Sequence, residues 1–158
     1  MKSPHPTVGE AAAAISHRHD RLLERVRALS GALLGAVESG DTVTAHDEKG
    51  NLVSWCEDEL IPHLVAEEGP LYGGAHATAE GGLLVEGLLQ DHQALVGLVD
   101  ELRRADGGVR AAALALVIAR VLAMHTGKEE RLLLPFIAAS PGLSLAEAVG
   151  TLEDVAEG

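Results

Sequence analysis

The segment VRAAALALVIARVLAMHTGKEERLLLPF, residues 109–136, decides the fold class. Leu114, Ile118, Val121, His125, Glu129, Leu132 and Phe136 recur at steps of three and four, which places them on one face of a helix. That face starts apolar and turns to histidine and carboxylate halfway along. The segment predicts a helix from about Val109 to Ala138, ended by Pro141-Gly142.

The same period extends outward through the chain. Upstream, Leu84, Leu88, His92, Leu95, Val99 and Leu102 predict a helix from about Glu80 to Arg104, closed by Asp106-Gly107-Gly108. Ala12, Ile15, His19, Leu22, Val26, Leu29 and Leu33 predict a first helix over Gly9–Glu38. A second carries Leu52, Cys56, Leu60, His63 and Glu67, starts near Thr42 or after Gly50, and should bend at Pro62. Residues 69–79 (GPLYGGAHATA) read as a Gly-rich connection, and SLAEAVGTLEDV as a short fifth helix packed on the outside. The expectation is an all-α fold: an antiparallel up-down four-helix bundle over residues 9–140, after a loose lead-in 1–8 and before a tail or short helix 141–158.

Composition agrees with helix. Aromatic residues make up 2% of the 158, so Ala and Leu must fill the core. The formal net charge of -12 repels phosphate backbones and anionic membranes, so neither nucleic acid nor membrane is an expected partner. The single Cys56 excludes an internal disulfide and a cysteine-rich metal knot. Residues 1–16 hold only the short apolar run Ala11–Ile15, below a signal-peptide core, and a cytoplasmic chain is expected. A homodimer remains open.

Residues four apart on a helix lie about 40° apart around it and one turn along it. His63/Glu67 and His125/Glu129 have this spacing, each on an inward stripe, and His19 and His92 interrupt the other two stripes. Facing helices would converge them into a pocket of four imidazoles and two carboxylates. Two carboxylates buried without partners cost several kcal/mol each, and a cation removes that cost. The candidate metal ligands are therefore His19, His63, Glu67, His92, His125 and Glu129. His76 and Glu80 share the spacing but lie among glycines on no apolar face, and read as surface. His17 falls on the polar face of its helix, and His5 and His46 have nothing to pair with. Glu68 and Glu130, five residues after their histidines, read as surface or outer-sphere groups.

No thiolate stands among the candidates, and six ligands exceed a tetrahedral zinc site. Mixed imidazole and carboxylate donors suit two bridged first-row ions. Two octahedral ions need about twelve bonds; these side chains plus one bridging oxo or hydroxo oxygen supply about ten, leaving about two positions for an exogenous ligand. A pair of non-heme irons there is suited to O2, peroxide or nitric oxide. Ferritin-like sites need Glu-x-x-His pairs, and no histidine has a Glu three residues before it.

The segments HDRLLERV (19–26), HLVAEEGPLY (63–72), LLQDHQALV (88–96) and HTGKEERLLLP (125–135) resemble, in order and spacing, the hemerythrin family, specifically its bacterial hemerythrin-like members with a cation-binding HHE domain. The resemblance covers nearly the whole chain. It implies a four-helix bundle holding a di-iron centre that binds O2 or related small ligands, with the same six residues as ligands. Oxygen-carrying members place two histidines a turn apart on the third helix, where this chain has Leu88 and Val96 beside His92. They also use an Asp five residues after the last His, where this chain offers Glu129 and Glu130. Fewer protein ligands imply a more open site, favouring turnover or sensing of peroxide, nitric oxide or iron itself over reversible O2 carriage. Tyr72 can fill a ferric position, although packing at a helix end is the preferred reading. An iron-storage or iron-sensing protein and a structural zinc bundle are the alternatives.

Overall fold

The computed structural model describes residues 6–157, so His5 and residues 1–5 of the expected lead-in lie outside the described residues. Thr7 caps the first helix: its hydroxyl accepts from the Glu10 main-chain N–H while the Glu10 carboxylate accepts from the Thr7 N–H. Helix α1 then runs Val8–Glu38 and stops at Gly40, whose φ of 73° is the left-handed turn that glycine adopts without a Cβ penalty.

Asp41 accepts from the Thr44 N–H at 2.9 Å and starts α2 at once, which settles the second helix's origin at Thr42. Helix α2 comprises Thr42–Trp55, a wide π-type turn Cys56–Leu60, and Ile61–Glu68. Thr78 caps α3, Ala79–Arg104. Helix α4 comprises Gly108–Lys128, a second wide turn Glu129–Leu133, and Leu134–Ala139. Helix α5 is Leu145–Glu157. Among the described residues there is no strand, and the arrangement is consistent with a helical bundle.

Both wide turns end two residues before a proline, Pro62 and Pro135. A proline ring clashes with the carbonyl four residues back and cannot donate to it; loosening the preceding turn relieves both problems. In α4 this changes which residues face inward. Glu129–Leu133 takes up one residue more than an ordinary turn, so Leu133 and Ile137 are buried in place of the expected Leu132 and Phe136, and Leu132 is 52% exposed. Earlier in α4, Ala111, Ala112, Ala115 and Leu122 are buried, whereas the expected Leu114 and Val121 are only partly so. The alanines let α1 come close: Ser30 Oγ donates to the Ala115 carbonyl at 3.2 Å. In α3, Val85 replaces Leu84 on the inward face.

The 69–79 stretch is not a loose connection. Leu71, Tyr72 and Ala75 are buried, and Gly73–His76 forms one helical turn. Its glycine-rich continuation permits a close approach: a Cβ on Gly81 would stand 2.4 Å from the Ala75 carbonyl oxygen and 2.7 Å from the Phe136 ring. Gly81→Ala should therefore destabilise the chain by about 1–3 kcal/mol, measured by urea unfolding. Gly82→Ala, whose Cβ meets nothing nearer than 3.4 Å, should leave the midpoint nearly unchanged.

Two apolar clusters form the core. One gathers Leu22, Val26, Leu33, Leu52, Leu60, Leu95, Val99, Ile118 and Leu122. The other gathers Ile15, Leu71, Tyr72, Val85, Leu88, Leu133, Ile137 and α5's Leu145, Val149 and Leu152. Between them α1 carries His19, α3 His92, and α4 both His125 and Glu129. Helix α2 supplies His63 and Glu67 before the chain reaches Leu71. The helix Gly108–Ala139 is long and apolar enough, by composition, to cross a bilayer. Here its inward face packs on α1 and α3 and bears His125 and Glu129.

Candidate metal centre

All six candidate residues meet in this polar layer. His19, His125, Glu67 and Glu129 are fully buried; His92 and His63 are 3% and 9% exposed. They fall into two groups that share carboxylates. In the first, His63 Nε2 lies 2.8 Å from Glu67 Oε1, and His19 Nε2 lies 3.6 Å from the same oxygen and 3.1 Å from Glu129 Oε2. In the second, His92 and His125 put their Nε2 atoms 3.1 Å apart. Glu67 Oε2 is 3.7 Å from His92 Nε2 and 4.0 Å from His125 Nε2, and Glu129 Oε1 is 3.5 Å from His125 Nε2.

Several of these atoms have no partner despite their closeness. His19 Nε2, His63 Nε2, both oxygens of Glu67 and Glu129 Oε2 are buried without a properly directed hydrogen bond; Trp55 Nε1 is the remaining such atom among the described residues. Buried polar atoms are ordinarily satisfied, so five unsatisfied ones facing each other in one layer fit a site for cations. The donors fit as well: imidazole nitrogens and carboxylate oxygens with no thiolate.

The outer nitrogens explain why Nε2 points inward. His19 Nδ1 lies 2.7 Å from Glu130 Oε1, His92 Nδ1 lies 2.9 Å from Glu68 Oε1, and His125 Nδ1 lies 3.3 Å from Asp91 Oδ2. Lys128 Nζ in turn holds Asp91 at 2.5 Å. A carboxylate accepting from Nδ1–H fixes the ring and leaves the Nε2 lone pair free for a cation. Glu68 and Glu130 thus stand outside the layer, each against the outer nitrogen of an imidazole on another helix. Asp91 escaped the sequence reading because it serves an imidazole on another helix, a pairing with no periodic signal.

Tyr72 corrects the preferred reading. Its ring is buried, and its hydroxyl donates to Glu129 Oε1 and sits 3.1 Å and 3.4 Å from the Nε2 atoms of His92 and His125. The turn after Glu68 folds the chain back under the layer, so this phenol is a member of the site and not only packing. The decoy pair behaves as surface: His76 bonds exposed Glu86 at 2.7 Å. His17 is exposed.

The electrostatics follow from burial opposed by charge. Burial favours neutral imidazole, but Glu129 and Glu67 outweigh it and hold His19 and His125 up to about 10. Burial also works against the Glu67 charge, yet the charge of His63 beside it and the nearby His125 and His19 imidazoles keep it well below the usual carboxylate range. Glu129 is likewise lowered, against burial and the Glu67 charge, by His125 and His19. Burial, then Glu129 and Glu67, push the Tyr72 phenol far up, keeping it a neutral donor.

Without metal, then, protons on imidazole balance the carboxylates. The stability they contribute is complete below the ordinary histidine value of 6.5 and is lost as pH rises toward about 10. That of the lowered carboxylates is complete above 4.5 and is lost on acidification. The chelated protein should melt highest between these two values and progressively lower toward pH 10. Metal uptake should release protons into weakly buffered solution, and tighten as pH rises.

A helical fold with one buried histidine–carboxylate layer defines an all-α, cation-binding protein. The family model for the hemerythrin HHE cation binding domain matches residues 10–143, and the chain belongs to that family. No curated protein and no solved structure matches the chain.

Proposed function

We propose that the layer holds two non-heme iron ions, with His19, His63, Glu67, His92, His125 and Glu129 as ligands. In this reading the centre binds or reacts with O2, nitric oxide or peroxide. The observation that carries it is the division of the carboxylate oxygens. Glu67 turns Oε1 to the His19–His63 pair and Oε2 to the His92–His125 pair; Glu129 turns Oε2 to His19 and Oε1 to His125. A carboxylate that faces two imidazole pairs is built to bridge, and two bridges suit two ions better than one tetrahedral zinc.

Iron supplies one-electron redox chemistry toward small oxidants. The chain supplies the rest. Glu130, Glu68 and Asp91 hold three of the rings, the two apolar clusters exclude bulk water, and Tyr72 holds a proton on its hydroxyl toward Glu129 Oε1. The bundle is read as up-down and antiparallel. Supporting this, Val37 lies against Gly108, Ser30 against Ala115 and His19 against Glu129, so α1 ascends as α4 descends.

Elemental analysis and an absorption spectrum of protein purified in air test the reading. About two irons per chain and a visible band that azide or nitric oxide shifts are expected. Colourless protein with stoichiometric zinc overturns it in favour of a structural bundle. Steady turnover of peroxide or nitric oxide, lost in His63→Ala, would make the protein an enzyme. A large iron-dependent change in protease sensitivity would instead point to iron sensing.

A further inference from the structure

The four imidazoles differ on their outer sides. Outside His19 stands Glu130, outside His92 Glu68, and outside His125 Asp91. An anion approaching along any of these three directions meets a carboxylate first. Among the described hydrogen bonds none holds His63 Nδ1, and His63 is the most exposed member of the layer. It also lines a cavity of about 860 Å³ between α1, α2 and the end of α5. Arg18 and Arg21, one turn apart on α1, line the same cavity, and no ion pair among the described residues engages either of them. Asp58 and Glu59, on α2, line it too, so the cavity's formal charges balance in a chain whose net charge is -12.

We propose that this cavity is the port through which small inorganic anions reach the buried layer, with Arg18 and Arg21 drawing them in toward the His63 end of it. The proposal rests on the metal-centre reading for its ligand and on the chain's own geometry for its route. Anions gain at the arginines what they lose near the other three rings, since opposite charge attracts and focuses an ion in a cleft. The approach past His63 is the open one because no carboxylate stands at its outer nitrogen, as one does at each of its three counterparts. The cavity is far larger than a triatomic ion, so hydrated anions can enter before shedding water.

Azide is the probe. In iron-loaded protein, stopped-flow mixing should show azide association slowed about tenfold by the double change Arg18→Glu and Arg21→Glu. The wild-type rate should fall with added salt, and the variant's should not. The double change Arg110→Glu and Arg120→Glu, an equal charge change at exposed positions of α4 outside the cavity, should leave the rate within about twofold. Equal slowing by the distant change, or none by the double change, overturns the proposal.

A second measurement needs no metal. In chelated protein, diethylpyrocarbonate followed by peptide mass spectrometry should modify His63 before His19, His92 or His125. Earlier reaction at any of those three overturns the route. If the chain binds no iron, the metal-centre reading fails, and the labelling order still decides whether the route opens at His63.

Discussion

Glu67→Ala should bind neither ion. Both oxygens of this side chain are buried and face different imidazole pairs, so its removal deprives both groups of a donor at once. A group that only orients a ligand is worth about 10–100-fold in metal affinity. Glu68→Gln, which loosens His92 alone, should weaken binding by that amount. Glu67→Ala should exceed it, with iron per chain falling from about two to near zero in samples loaded and desalted in parallel. Chelated Glu67→Ala should keep its helical circular dichroism, because neither apolar cluster contains Glu67. Retention of one tightly bound ion would show that the layer is two independent sites and that Glu67 does not bridge.

Leu33→Ala should produce the largest loss of stability without loss of metal. Leu33 is fully buried in the cluster remote from Tyr72 and α5, among residues of all four long helices. Truncation leaves a cavity that rigid helices cannot collapse, a cost of about 2–5 kcal/mol. At about 2–4 °C per kcal/mol for a chain of this size, the melting temperature should fall by roughly 4–20 °C. Iron content at saturation should match the wild type, since α1 still delivers His19 from a separate turn. A parallel fall in iron content would mean that the apolar cluster, and not the local helix, sets the height of the imidazoles.

Periodicity is a local property, and it was sufficient for the helices and for most of the layer. Ile15, His19, Leu22 and Val26 share a face whatever packs against it, and so do Leu88, His92, Leu95 and Val99. A histidine inside such a stripe must be buried, and a glutamate one turn later must be buried beside it. Where local geometry departs from a regular helix, that inference slips. The wide turn before Pro135 moved the inward positions by one residue, to Leu133 and Ile137, because a turn of extra residues rotates everything after it. The pattern of α4's first half was shifted by a different cause, the close approach of α1 onto Ala111, Ala112 and Ala115.

Non-local pairings left no trace in the order of residues. Tyr72 follows a Gly-Pro turn in a glycine-rich stretch and carries no periodic signal, yet the path of that turn brings its hydroxyl to Glu129 Oε1, more than fifty residues away. Asp91 stands outside His125 only because α3 and α4 pack side by side. The amino-acid order determined that four helical stretches each carry a histidine among apolar neighbours and that two add a carboxylate one turn on, because helical pitch alone imposes that neighbourhood. Only the packed structure decided that the carboxylate oxygens divide between two imidazole pairs, that a phenol joins them, and that one imidazole lacks an outer carboxylate. Those relations depend on the distances between helices, which the spacing of residues along any single helix does not contain.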